Sequence, residues 1–140
     1  MLSVTPFLLF DGNCREAMVF YQNCFDGDLK ITTVNEMAMK NNLPEEQHHK
    51  IAYAYLKSGK IEFSATDWLH PTRKFNQGNT VAMYINGGAY PELKGIFDRL
   101  ADGADPALLD ELRDLPFGAY GHLADKFGVH WFFVGPKAGN

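Results

Sequence analysis

The chain has 140 residues, 46% of them hydrophobic and 21% charged, which is enough for one ordinary globular domain without disulfide or metal staples. Thirteen basic against 17 acidic residues give a net charge of −4, with no basic face visible, which argues against nucleic acid as a partner. No stretch reaches the length of a membrane span, and aromatic residues make up 14% of the chain, eleven of them Phe.

From the N-terminus, Val4 to Phe10 is an apolar run interrupted by Pro6 and ended by Asp11. Without a basic flank it reads as a strand, Thr5 to Phe10, and not as a signal peptide. Asn13 is a good N-cap with Glu16 three residues on, an Asn version of the capping box. Ala17, Phe20, Tyr21, Cys24 and Phe25 then follow at the spacing of one buried helical stripe, and Gly27 supplies the stop. Cys14 and Cys24 fall on this helix, roughly 15 Å apart by the helical rise, so they read as reduced core thiols of a cytoplasmic protein. Leu29 to Val34, Lys50 to Leu56 and Lys60 to Thr66 read as strands, the last two joined by a turn at Lys57 to Lys60. Between the first two lies a polar linker, Asn35 to His49, which reads as mobile and, with Met37 and Met39, as a possible lid.

The same order then returns. At an offset of 76, Leu93, Ile96, Phe97, Leu100 and Ala101 repeat the helical stripe, Gly88 repeats Gly12, and Asp102-Gly103 repeats Asp26-Gly27. Val81 to Asn86 repeats the first strand, and Pro91 favours helix initiation. Ala107 to Leu112 is open between strand and helix, while Phe117 to Ala124 and Val129 to Val134 are clear strands around a turn at Asp125 to Gly128. The hairpins match at an offset of 68. The unit is β-α-β-β-β, written twice, and each copy of about 70 residues is too small to bury a sound core alone.

Thr5-Pro6-Phe7-Leu8-Leu9-Phe10-Asp11-Gly12-Asn13-Cys14-Arg15-Glu16-Ala17, followed by Phe20-Tyr21-Gln22, is similar to the opening of the PhnB-like branch of the vicinal oxygen chelate superfamily. The segment from Tyr120 to Trp131 resembles that branch's ending. The superfamily includes glyoxalase I, extradiol dioxygenases and bleomycin-resistance proteins. The resemblance implies an α+β fold in which two βαβββ modules, about residues 1–72 and 78–140 of a single domain, form curved mixed sheets around a cup-shaped cavity. It also implies a homodimer. Some members of the branch carry a demethylubiquinone methyltransferase label, but no G-x-G turn follows a strand here, so the usual sign of an adenosyl cofactor is missing.

The superfamily's enzymes commonly hold a divalent metal through His and Glu on the first and last strands of each module. Those positions align here with Thr5, Val81, Ser64 and Phe132, none of which is a His or a carboxylate. A slip of two residues brings in Glu62 and His130, equivalent in the two modules. Two donors alone would hold a metal weakly, so the expectation is no metal and no cofactor. Glu62, His130 and the neighbouring His122 are the candidates for proton transfer. The bland alternatives are a surface carboxylate paired with Lys60 and a half-buried histidine. Tyr53, Tyr55, Ser64, Trp68, Tyr120 and Phe132 are the candidate ligand-binding residues, with Tyr53 and Tyr55 matching the opposite strand parity to Tyr120 and His122. Glu45, Glu46, His48 and His49 read as a solvated turn, and neither a nucleophile elbow nor a phosphate-binding loop is present.

Two functions remain. One is a protein binding a small molecule in a metal-free, aromatic-lined cavity. The other is a lyase, isomerase or dioxygenase on the same scaffold, using Glu62 and His130 with or without a divalent metal.

Overall fold

A computed structural model describes residues 1–139, apart from the side chains of Ala38 and Met39. Met39, one of the two methionines named in the proposed Asn35 to His49 lid, therefore lies outside the described side chains. The chain divides into two compact units, Met1–Asn76 and Gln77–Asn140. Each is a mixed four-stranded sheet with one helix, so the architecture is α+β and the βαβββ order occurs twice. Among the described residues no helix is long and apolar enough to cross a membrane.

In the first unit β1 (Phe7–Phe10), α1 (Cys14–Phe25), β2 (Asp28–Thr33), β3 (Ile51–Ser58) and β4 (Ile61–Asp67) form a sheet of order β1-β4-β3-β2. β1 runs parallel to β4, and the other pairs are antiparallel. The helix buries Cys14, Ala17, Met18, Tyr21, Cys24 and Phe25, while Phe20 is only half-buried. Its rings meet Phe63 edge-on, with centroids 5.7 Å away from Tyr21 and 6.2 Å from Phe25. Phe63, Ala65 and Asp67 therefore face α1. Glu62, Ser64 and Thr66, by alternation, face away.

The expected capping box does not form. Asn13 makes no side-chain cap hydrogen bond, and the buried Asp67 at the end of β4 takes its place. One carboxylate oxygen accepts Cys14 N–H at 3.0 Å, at the start of the helix, and the other accepts Ile51 N–H at 2.8 Å. A long-range carboxylate thus satisfies a helix-terminal donor, which no local reading could see. At the other end the left-handed residue is Asp26, and Gly27 serves a different need: a Cβ there would lie 2.9 Å from Lys57 O. The linker expected to be mobile carries three short 3₁₀ turns, Val34–Glu36, Ala38–Asn42 and Glu45–Gln47. His48 Nε2 holds it together, 2.7 Å from Lys40 O and 3.1 Å from Leu43 O.

In the second unit β5 (Met83–Asn86), α2 (Tyr90–Leu100), β6 (Asp110–Leu115), β7 (Gly118–Ala124) and β8 (His130–Gly135) repeat the arrangement as β5-β8-β7-β6. The open choice at Ala107 to Leu112 resolves as a 3₁₀ turn, Pro106–Leu108, capped by Asp105 and followed by a strand. Leu93, Ile96, Phe97 and Leu100 are buried as the stripe predicts. Phe97 meets Phe133 edge-on at 5.0 Å, which sets the helix-facing side of β8. Asp125, also buried, accepts Phe127 N–H at 2.8 Å, Val129 N–H at 3.2 Å and the Trp131 indole at 2.8 Å, fixing the β7–β8 turn.

Candidate functional site

The strands before each helix begin later than the sequence reading placed them. Thr5 and Val81 precede β1 and β5, and the residues standing opposite Ser64 and Phe132 are Phe7 and Tyr84. The reason is the parallel pairing itself, which starts where Pro6 O accepts Ser64 N–H at 3.1 Å. Parity changes as well. Tyr55 stands opposite Ser64 and His122 opposite Phe132, so Tyr53, Tyr55, Tyr120 and His122 all lie on the face away from their own helix. The opposite parity expected for the two tyrosines fails because the turns differ in length. Ser58 pairs with Ile61, whereas Ala124 pairs with His130.

On the first sheet, that face joins Tyr53 to Ser64 through a 3.0 Å hydroxyl contact and stacks Phe7 on Tyr53 with centroids 6.4 Å apart. Glu62 pairs with Lys57 at 3.4 Å, the residue that β3–β4 register sets opposite it, and not with Lys60 in the turn. Desolvation, and then the hydrogen bond and charge of Glu62, push Tyr55 above its ordinary pKa. Glu62 is therefore engaged on both sides. Trp68 stands apart, beyond the end of β4. Its indole donates to Arg73 O at 2.6 Å, and its ring packs on His70 and Phe75, each 6.2 Å away.

On the second sheet four of the predicted residues converge. His122 stacks on Phe132 with centroids 4.2 Å apart, Tyr120 lies 6.4 Å from Phe132, and His130 stacks on His122 at 5.2 Å. His122 Nε2 and His130 Nδ1 are 3.1 Å apart, within hydrogen-bond distance. Burial first, and the facing His130 second, hold His122 below its usual pKa, while Asp110 pulls it up. Asp110 Oδ2 lies 3.9 Å from His122 Nδ1. Arg113 stands opposite Tyr120, Phe117 meets Tyr120 edge-on at 6.4 Å, and Tyr84 stands opposite Phe132. The sequence reading missed Asp110 because its segment, Ala107 to Leu112, was open between strand and helix, and it missed Arg113 and Phe117 because the β6–β7 register that sets them beside Tyr120 was not legible. It missed Tyr84 because the first-strand register was set three residues early.

The sequence model of the family described as 3-demethylubiquinone-9 3-methyltransferase matches residues 2–134. No curated protein matches the chain. Among solved structures, protein PA1353 from Pseudomonas aeruginosa shares 26% identity with a TM-score of 0.83, over 98% of this chain and 99% of that one. A PhnB protein from Bacillus cereus shares 24% identity with a TM-score of 0.73, over 96% and 99%. A fosfomycin resistance protein, FosX, from Listeria monocytogenes shares only the fold, at 11% identity and a TM-score of 0.63 over 99% and 98%; a variant of it has been solved with Mn(II) and a dihydroxypropylphosphonic acid.

The positions where the fold's enzymes hold a metal do not fit one here. The side chains on the facing strand positions are a phenyl and a hydroxyl in one unit, Phe7 and Ser64, and a phenol and a phenyl in the other, Tyr84 and Phe132. Among the described residues no three His, Cys, Asp or Glu side chains gather as a metal site. With a family match that spans nearly its whole length and neighbours of glyoxalase-like fold, the chain belongs to the PhnB-like family described as 3-demethylubiquinone-9 3-methyltransferase.

Proposed function

We propose that the chain binds a small planar molecule on the face of the second sheet opposite α2. The observation that carries this is the stack of His122 on Phe132 at 4.2 Å, extended by Tyr120, with Tyr84, a residue 61% exposed, standing opposite Phe132 on β5. Rings with a few polar groups among them are what recognition of a small aromatic ligand uses: apolar contact for affinity, nitrogen and hydroxyl groups for orientation. Methyl transfer is not part of the proposal, since the chain has no G-x-G turn for an adenosyl cofactor. The test is a thermal-shift screen of planar aromatic compounds against aliphatic ones of equal size. Aromatic compounds are expected to raise Tm, by the equivalent of about 2.7 kcal/mol at a hundredfold excess over Kd, and Tyr84→Ala is expected to weaken the effect. No shift from any planar class, or an undiminished shift in Tyr84→Ala, overturns the proposal.

A second reading, an enzyme working by acid–base chemistry, is favoured by one contact, the 3.1 Å approach of His122 Nε2 to His130 Nδ1. In that reading His130 acts, and Glu62, held by Lys57 and Tyr55, does not.

A further inference from the structure

Two neutral imidazoles hold two N–H groups among four ring nitrogens, and one N–H must lie in the 3.1 Å gap between His122 Nε2 and His130 Nδ1. Which ring donates is decided on the far side of His122, where Nδ1 stands 3.9 Å from Asp110 Oδ2. A carboxylate repels a bare nitrogen lone pair and attracts an N–H. His122 therefore carries its proton on Nδ1, its Nε2 accepts, and His130 Nδ1–H donates. This leaves His130 Nε2 as the one bare nitrogen at the open end of the series Asp110, His122, His130.

A further proton has one favourable point of entry. On His130 Nε2 it disturbs no existing hydrogen bond, because Nδ1–H still donates to His122. On His122 Nε2 it would set two N–H groups against each other across 3.1 Å. The lowered pKa of His122, caused first by burial and then by His130, points the same way. Asp110 on β6 is the charged group set against the pair, and strand register adds Arg113 on β6, Tyr120 on β7 and Tyr84 on β5, opposite Phe132, to the same face. Asp110 lies behind His122, and Arg113 adds a cation beside Tyr120.

We infer that His130 Nε2 is the proton-accepting atom of this face, that His122 and Asp110 position it, and that the molecule bound is an aromatic weak acid held as its anion. The inference rests on the reading of this face as a small-molecule site and names that molecule's class. The acid's O–H bond gives its proton to His130 Nε2, the electron pair stays on the oxygen, and the new Nε2–H donates back to that oxygen. No other reactant is needed.

Two measurements on the full chain test it. Long-range ¹H–¹⁵N correlation spectra read histidine tautomers directly. Both His122 and His130 are expected in the Nδ1–H form above neutral pH, with the His130 signature weakened in Asp110→Asn. A His130 that carries its proton on Nε2 in the unaltered chain overturns the assignment. The second measurement uses 4-nitrophenol, whose absorbance reports its ionisation, with 4-nitroanisole as the non-acidic control. Bound nitrophenol is expected to hold about tenfold more phenolate than the free compound at the same pH, one pKa unit of displacement. That displacement is expected to vanish in His130→Asn and shrink in Asp110→Asn. If both compounds bind and the spectrum of nitrophenol is unchanged, the aromatic site stands and the acid inference falls. If neither binds, the site reading falls and takes the inference with it.

Discussion

Asp67 and Asp125 show how much a single buried carboxylate can hold in this chain. Each is at most 3% exposed and accepts at least two hydrogen bonds. Asp67→Ala strands the N–H groups of Cys14 and Ile51 and is expected to cost about 3 kcal/mol, measured by urea unfolding. The thiol of Cys14 is pushed up to about 12 by burial and then by Asp67. It is expected to resist alkylation until the chain unfolds. The same shift has a pH consequence. Between 9.0 and about 12 the unfolded chain releases the Cys14 proton while the folded chain keeps it, so stability falls across that window. Cys14→Ala is expected to flatten that slope. His122 acts at the other end of the scale. Its lowered pKa favours the neutral ring in the fold, so its contribution is present above 6.5 and is lost as pH falls below that value. Unfolding titrations of the chain and of His122→Phe are expected to diverge only on the acid side.

The elements themselves were largely legible in the sequence. Both helical stripes, seven of the eight strands and the paired hairpins follow from periodicity and turn residues. What periodicity could not supply was register, because register depends on how many residues each turn absorbs. Gly121 marks one place where the elements are packed too closely for a side chain. A Cβ on Gly121 would lie 2.9 Å from Phe97 Cε2 and 3.1 Å from the Leu112 Cα, so β6, β7 and α2 meet there with no spare room. Gly121→Ala is expected to cost about 2 kcal/mol, since the Leu112 backbone cannot yield as a side chain can, and denaturant unfolding would show it as a lowered midpoint at unchanged m. Of the candidate site, Tyr120, His122, His130 and Phe132 were named from β7 and β8, which were clear strands. Asp110 was invisible because its segment reads equally well as helix.

At the scale of the whole molecule, the internal repeat accounts for both the architecture and the divergence of its two faces. The strand order is the same in the two units, yet equivalent positions carry unlike side chains: Tyr55 against His122, Ser64 against Phe132, Glu62 against His130. One face is a hydroxyl and ion-pair surface, and the other a ring stack with two histidine nitrogens within hydrogen-bond distance. Among the described residues, no three His, Cys, Asp or Glu side chains gather on either face as a divalent cation needs. The purified chain is therefore expected to retain no stoichiometric metal after a chelator wash, and a tightly held metal found by elemental analysis would contradict that. We also propose that the chain is a homodimer, as the exposed Phe7 and Leu9 on β1 suggest. Light scattering is expected to give twice the 15.7 kDa chain mass, and a clean monomer would refute it.

By itself the sequence determined the repeated βαβββ order and the two buried helical stripes, and it named Tyr120, His122, His130 and Phe132 as candidates on two neighbouring strands. These depend on residue type and short-range spacing, which the chain displays directly. Only the tertiary structure decided which residues stand opposite one another. The β6–β7 pairing, with its irregularity between Asp110 and Arg113, places Asp110 behind His122, and the β7–β8 turn brings His130 within 3.1 Å of it. That alignment brings two separate histidines into one contact, and it is made by strand register, which turn length sets and composition does not record.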